Sequence, residues 1–371
     1  MKKKQKYFIG LFSVIAVCTI ALAACAFFKK NQAAEPETEA AVPKVTQPPV
    51  ETHEGQAKSY LTGQWIDQNL AAQRPAAVMI ENTSAALPQY NISKADIIYE
   101  SAVEGGITRL MGLYQDYSNM ERIGNVRSCR IYYVYFAKEF DAIYVHAGQS
   151  SYATPVLDSG FIDHIDGISG LGNTCFYRTN DRKSPHNLYT SSEGITEAIQ
   201  VSGFTTELPA DYKGHYMFAE DNAAVNLDAG QNAAVVALYY VNPKPWFEYN
   251  EADGLYYRFE FGEAQMDAVN NEQLAVKNII LQNCKSRLFD SDSGSLNIDY
   301  MSGGSGKYIT NGKAIDITWT RESESSPTKY YDSTGKEIIL NQGKTWVCII
   351  QNESSDGNAI YGTKEEFQSS K

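Results

Sequence analysis

The stretch Ala95-Asp96-Ile-Ile-Tyr-Glu100-Ser-Ala-Val-Glu104-Gly105-Gly106-Ile107-Thr-Arg109-Leu-Met-Gly-Leu-Tyr114 decides the fold of the first half of this 371-residue chain. Two apolar, β-branched runs flank a Gly-Gly pair, the pattern of a tight antiparallel hairpin. Upstream, Arg74-Pro-Ala-Ala-Val-Met-Ile-Glu81-Asn82 reads as a further buried strand with a polar end. Downstream, Ile123-Gly-Asn-Val-Arg127-Ser-Cys-Arg130-Ile-Tyr-Tyr133 reads as a strand end, a turn at Gly124 and a helix opening near Ser128. Asp141-Ala-Ile-Tyr-Val-His146-Ala-Gly148 is another strand, closed by a glycine turn. Strands alternating with helices predict a mixed α/β layer over residues 59–212.

From about residue 213 to 365 the texture changes. Ala233-Ala-Val-Val-Ala-Leu-Tyr-Tyr-Val241, Tyr256-Tyr-Arg-Phe-Glu-Phe261, Val276-Lys-Asn-Ile-Ile-Leu281, Ala314-Ile-Asp-Ile-Thr-Trp319 and Thr345-Trp-Val-Cys-Ile-Ile350 have strand length and are separated by Asp-Gly, Gly-Gly, Asn-Gly and Thr-Gly turns. This predicts a mostly antiparallel β-domain, a sandwich or barrel. The class expected is therefore α+β, an α/β domain followed by a β-domain.

The amino terminus sets the compartment. Lys2, Lys3, Lys4 and Lys6 precede an apolar run that ends in Leu22-Ala-Ala-Cys25. That is a signal peptide over residues 1–24, and its end matches the bacterial lipobox, which implies cleavage before Cys25 and lipidation of its sulfur. The globular part is expected on the outer face of the cytoplasmic membrane. Residues 25–58 are rich in Ala, Glu, Pro, Thr and Gln and predict a disordered tether, about 30 Å in mean extension. Without residues 1–24, the 32 basic residues fall to 28 against 44 acidic, a net −16. A surface that acidic argues against nucleic acid and against anionic lipid as broad partners. Four cysteines then remain, and Cys129–Cys175 with Cys284–Cys348 is the disulfide pairing expected from the domain division.

Against that acidic background the arginines are concentrated. Six of ten (Arg109, Arg122, Arg127, Arg130, Arg178, Arg182) fall between positions 109 and 182. Arg127 and Arg130, three apart at a helix opening, would present forks and free backbone N–H groups to an anion. His146 closes a strand, the usual place for ligand groups in α/β sheets. Tyr177-Arg178-Thr-Asn-Asp-Arg182-Lys-Ser-Pro-His186-Asn187 is a polar loop suited to binding. The candidate ligand-binding set is Glu100, Glu104, Arg109, Arg127, Arg130, His146, Arg178, Arg182, His186 and Asn187, the two glutamates holding arginine forks from behind or meeting sugar hydroxyls.

Taken together, Pro75-Ala-Ala-Val-Met-Ile-Glu-Asn82, Ala95-Asp-Ile-Ile-Tyr-Glu100, Glu104-Gly-Gly-Ile-Thr-Arg109, Ile123-Gly-Asn-Val-Arg-Ser-Cys-Arg130, Val145-His-Ala-Gly148, Arg182-Lys-Ser-Pro-His-Asn-Leu-Tyr189, Gly312-Lys-Ala-Ile-Asp-Ile-Thr-Trp319 and Gly343-Lys-Thr-Trp-Val347 resemble the YerB-type family of bacterial lipoproteins, largely confined to Gram-positive bacteria. The resemblance spans nearly all of the mature body and implies no activity. It places alanine where Cys129 stands, which argues against Cys129 as a nucleophile.

Three functions follow as expectations. The first is binding of a phosphate- or carboxylate-bearing glycan or lipid-linked precursor of the envelope. The second is an enzyme on such a ligand: the layout distantly resembles LytR-CpsA-Psr phosphotransferases, with Glu104 or Asp96 as base or metal ligand and His146 as general acid/base. A separate metal set, His146, Asp163, His164 and His186, has no metal-ligand spacing to support it. The third is a scaffold for cell-wall proteins, using some of the 25 tyrosines. No cofactor is expected. Gly303-Gly-Ser-Gly-Lys307 lacks the first glycine and the Ser/Thr of a phosphate loop. Asp290-Ser-Asp-Ser-Gly294 has its glycine one place early for a calcium loop.

Overall fold

The computed structural model describes residues 52–371, Lys213 excepted, and His53–Lys371 form one compact unit. The signal peptide, Cys25 and most of the expected tether lie outside the described residues. The body begins earlier than expected, because Gln56–Lys58 is already a strand, paired antiparallel with Trp65–Asp67. No helix among the described residues is long and apolar enough to cross a membrane.

The hairpin forms as its sequence predicts. Ile97–Ala102 and Thr108–Tyr114 pair antiparallel, joined by a Glu104–Gly106 turn in which Gly105 and Gly106 have φ of +77° and +71°. A side chain at either place would strain that backbone. Ala76–Asn82 lies antiparallel along Thr108–Tyr114, with Ile143–His146 and then His164–Asp166 parallel beyond it.

The C-terminal half is β-rich, as expected, and its long strands continue this same sheet. Thr345–Gln351 pairs in parallel with Ile97–Ala102 on one side and Asn278–Cys284 on the other, and Gly304–Thr310 and Lys313–Thr320 extend the sheet antiparallel. Eleven strands join in all among the described residues. The longer helices, Ile131–Lys138 and Ser192–Ser202, belong to the first half, whereas among the described residues the C-terminal half adds one α-helix, the terminal Lys364–Ser370, and a 3-10 turn at Asn352–Gly357. The α+β class therefore stands.

Side chains alternate between the two faces of this sheet. One face (Ile80, Ile98, Leu110, Trp346, Cys348) packs under a six-stranded second sheet through Phe247, Tyr256 and Val276. The other (Met79, Tyr99, Met111, Val347) packs on Tyr132, Tyr133 and Phe136. The helix carrying those aromatics buries six of its eight residues, so it has apolar side chains all round and no solvent face.

The same alternation overturns both expected disulfides. All four cysteines are free and buried, with Cys175 and Cys348 on the first face and Cys129 and Cys284 on the second. Each expected pair is thus divided by the sheet itself.

Beneath the second sheet lies a buried ionic cluster. Arg258 donates Nη2 to Glu100 Oε2 at 2.8 Å and lies 3.6 Å from Glu260 Oε2, with all three side chains inaccessible to solvent. Two carboxyl groups share one guanidinium. Burial pushes Glu260 up to about 7, with Arg258 pulling it down and Glu100 pushing it up further. Its folded value therefore exceeds its ordinary 4.5, so its contribution to stability is complete below pH 4.5 and is lost as pH rises towards 7. Glu260→Gln keeps the shape and the bond from Asn82 while removing the charge. It is expected to raise stability by about 1–3 kcal/mol at pH 8 and to change little below pH 4.5. Urea denaturation at the two pH values measures this, and a loss of stability at pH 8 would contradict it.

Candidate functional site

The arginine segment is placed by the sheet. The Arg127 amide donates to Met79 O at 3.0 Å and its carbonyl accepts from Ala147 N at 3.0 Å, while Cys129 N donates to Gly148 O at 2.8 Å. Residues 126–129 are therefore held extended by neighbours on both sides. The expected helix start at Ser128 is corrected to Ile131, with Arg130 as N-cap at φ −121° and ψ 148°. Arg127 and Arg130 do not share a helical face. Tyr132 Oη, bonded to Ala102 O at 2.6 Å, and Tyr133 Oη, which accepts from Ser101 N at 2.9 Å, pin the helix start to the hairpin.

Arg109 reaches this segment from the sheet. Its Nη1 donates to Ser128 O at 2.6 Å, and no carboxylate among the described residues lies within 4.0 Å of it, although it is only 5% exposed. Glu81 and Ser101 are its register partners on the two flanking strands. Glu81 is turned elsewhere, with Oε1 2.7 Å from His186 Nδ1 and Oε2 3.6 Å from Arg127 Nε. Both Glu81 Oε2 and Arg127 Nε are buried without a hydrogen bond. Arg130 forms the closed pair, donating Nε to Glu104 Oε1 and Oε2 at 2.9 and 2.7 Å. Burial opposes ionisation of Glu104, but Arg130 outweighs it and holds the carboxyl below its ordinary range. Burial first, and then Arg130 and Arg127, pull the Arg109 guanidinium down to about 10.

The structure thus gathers Arg109, Arg127, Arg130, Glu104 and His186 from the expected set and adds Glu81. Polarity at a strand end was the sequence signal for Glu81; its role emerges only from the register with Arg109. The remaining candidates lie elsewhere. Glu100 is on the opposite face of the sheet, bonded to Arg258, Thr108 and Trp346. His146 is fully buried, with Nδ1 on Gly148 O and Nε2 on His164 Nδ1, both at 3.0 Å, and burial takes its pKa down to about 4 against the pull of Asp166. Such an imidazole is neutral and screened from any substrate. Arg178 donates to Asn187 Oδ1 at 2.9 Å and Asn187 to Thr179 O at 2.7 Å, which closes the loop between them. Arg182 is a clamp on Pro88 O (2.6 Å), Ala86 O and Asn125 Oδ1 (2.9 Å). The four residues of the possible metal set do not converge: His146 meets His164, Asp163 pairs with Arg74 at 2.7 Å, and His186 pairs with Glu81. Cys129 is also unsuited to attack, since burial pushes its thiol up to about 12.

Comparison with known proteins places these features in a family. Residues 61–205 match the model for the N-terminal domain of a protein of unknown function (DUF3048), and residues 235–347 match the model for its C-terminal domain. "Putative lipoprotein YerB" of Bacillus subtilis (strain 168) is 32% identical over 299 residues, covering 79% of this chain and 86% of that protein. The crystal structure of YerB from B. subtilis superimposes with a TM-score of 0.73 at 30% identity, covering 82% of this chain and 99% of that one. The two halves joined by one sheet are those of a two-domain family, and the chain belongs to the DUF3048 family.

Proposed function

We propose that the chain is a lipid-anchored envelope protein whose Arg109–Arg127–Arg130 cluster binds a phosphate- or carboxylate-bearing glycan or lipid-linked precursor. The anchor is the lipid on Cys25, and the site faces outward from the cytoplasmic membrane. The lipobox, the net charge of −16 after its cleavage and the lipoprotein name of the B. subtilis relative support that placement.

One observation carries the ligand class: Arg109 is a buried cation whose one bond within the described protein is to a carbonyl. Three arginines meet two glutamates, which leaves one positive charge uncompensated. A buried charge without a counter-ion is costly, and a bound monoanion supplies the missing partner. Glu104 keeps Arg130 in place, so Arg109 and Arg127 are the groups that meet the ligand. The open groups number few and the net charge is +1, so a phosphodiester or single carboxylate fits better than a pyrophosphate.

The test titrates the full-length chain in detergent with oligomers of glycerol phosphate, and separately with an isoprenoid phosphate. Arg109→Met is expected to weaken binding by about 10- to 100-fold, and added salt to weaken the wild type. Equal binding by wild type and Arg109→Met would sink the reading.

A further inference from the structure

A cleft of about 730 Å³ lies away from the arginine cluster and opens at the other end of the central strands, between the main sheet and the second sheet. That volume is in the range of small-ligand sites. Its position follows from the topology. Asn278, Thr345 and Ile97 are register partners that start three parallel strands. The residue just before each start is charged: Lys277, Lys344 and Asp96. Main-chain bonds hold the row in line, Lys277 N to Lys344 O at 2.9 Å and Thr345 N to Asp96 O at 3.1 Å. Neighbouring members are therefore one strand spacing apart, about 4.8 Å. All three residues line the cleft.

No carboxylate among the described residues lies within 4.0 Å of Lys277 or Lys344, although the chain carries 44 acidic residues. Lys277 Nζ donates to Gly254 O at 3.0 Å and Asn311 Oδ1 at 2.6 Å, which leaves one N–H, while Lys344 Nζ bonds only Ser93 O. Asp96 accepts from Gln115 N at 2.8 Å through Oδ2, and its Oδ1 accepts no hydrogen bond among the described residues. The row is tightly set: a Cβ on Gly343, whose φ is +133°, would stand 2.9 Å from Lys277 Cβ. Burial lowers both lysines and raises Asp96 to about 6, as expected for charges set apart from bulk water.

Asp253 and Glu272 also line the cleft, so the complementary ligand offers one carboxylate to the two ammonium groups and several hydrogen-bond donors to Asp96 and its acidic neighbours. Leu274 and Val276 add an apolar wall, and Gln273 adds an acceptor, since only its Nε2 is engaged, on Arg258 O at 2.7 Å. A hexose bearing a carboxylate combines the acid, the hydroxyl donors and an apolar ring face at this size. We propose that the cleft binds such an acidic sugar, its carboxylate between Lys277 and Lys344 and a hydroxyl donated to Asp96.

The test is calorimetric titration of the full-length chain in detergent with N-acetylmuramic acid, and with N-acetylglucosamine as the sugar lacking the carboxylate. The acid is expected to bind at least about tenfold more tightly. Lys277→Gln, a substitution at the partly exposed end of the row, is expected to abolish that preference with unchanged melting temperature. Arg109→Met is expected to leave it intact, which separates this site from the arginine cluster. Equal affinity for the two sugars, no detectable binding of the acid at millimolar concentration, or a preference that survives Lys277→Gln would overturn the proposal.

Discussion

Replacing Glu139 with alanine will destabilise the chain by about 3–5 kcal/mol at pH 7. Glu139 ends the aromatic helix of the first half and is wholly buried. Its Oε2 accepts from His215 Nε2 at 2.6 Å and Thr328 N at 2.9 Å, and its Oε1 takes Arg321 Nη1 and Thr328 Oγ1. Alanine would leave Arg321 buried without its counter-ion and His215 with neither ring nitrogen bonded, since His215 Nδ1 already has no partner. Arg321 keeps carbonyl bonds to Ser323, Glu324 and Tyr135, so the fold should survive at reduced stability. Burial opposes ionisation of Glu139, but Arg321, His215 and the Thr328 amide together hold it below its ordinary 4.5. Its contribution is therefore present above pH 4.5 and lost as pH falls through the lower folded value. Burial, outweighing Glu139, also holds His215 below its ordinary 6.5, so acidification below pH 6.5 removes stability through that group too. Glu139 and His215 should thus contribute less to stability, measured by urea denaturation, at pH 4 than at pH 7, opposite in sign to the contribution of Glu260. A loss below about 1 kcal/mol for Glu139→Ala at pH 7 would contradict the assignment.

Arg258→Met is expected to cost a similar 3–5 kcal/mol. It strands Glu100, whose other partners are neutral, and removes a guanidinium placed 4.3 Å from the Trp346 ring and 4.8 Å from that of Phe247. The informative comparison is Arg258→Met/Glu100→Leu, in which the one remaining acid, Glu260, loses the guanidinium that pulled it down and is kept neutral by burial. That pair should recover most of the loss, because the penalty lies in the unpaired charge rather than in missing attraction. Failure of the double variant to recover would mean that the ion pair itself stabilises the packing of the two sheets.

The strands of the hairpin and the class of the chain were legible in local sequence, whereas of the five candidate arginines only Arg109, Arg127 and Arg130 come together. The apolar runs are long, and turn glycines mark their ends. The helix start was not legible, since Ser128 is a favourable cap residue, and only the bonds from Arg127 and Cys129 to Met79 and Gly148 keep it out of the helix. Glu100 and Arg109 are nearly adjacent in the hairpin, yet their faces depend on a register that pairs Arg109 with Ser101. The cysteine pairing failed for the same reason. The cleft was invisible because its row of charges comes from three strand starts that are distant in the chain.

The parallel pairing of Ile97–Ala102 with Thr345–Gln351 also governs the order in which the body can be assembled. A chain made from its amino terminus presents the first strand long before its neighbour arrives. Until then an apolar strand has an open hydrogen-bonding edge, the condition that promotes wrong association between chains. Contacts between such distant segments also make for slow folding. The first half is consequently a poor fragment to express alone, and the growing chain must shelter that edge until the last long strand closes it.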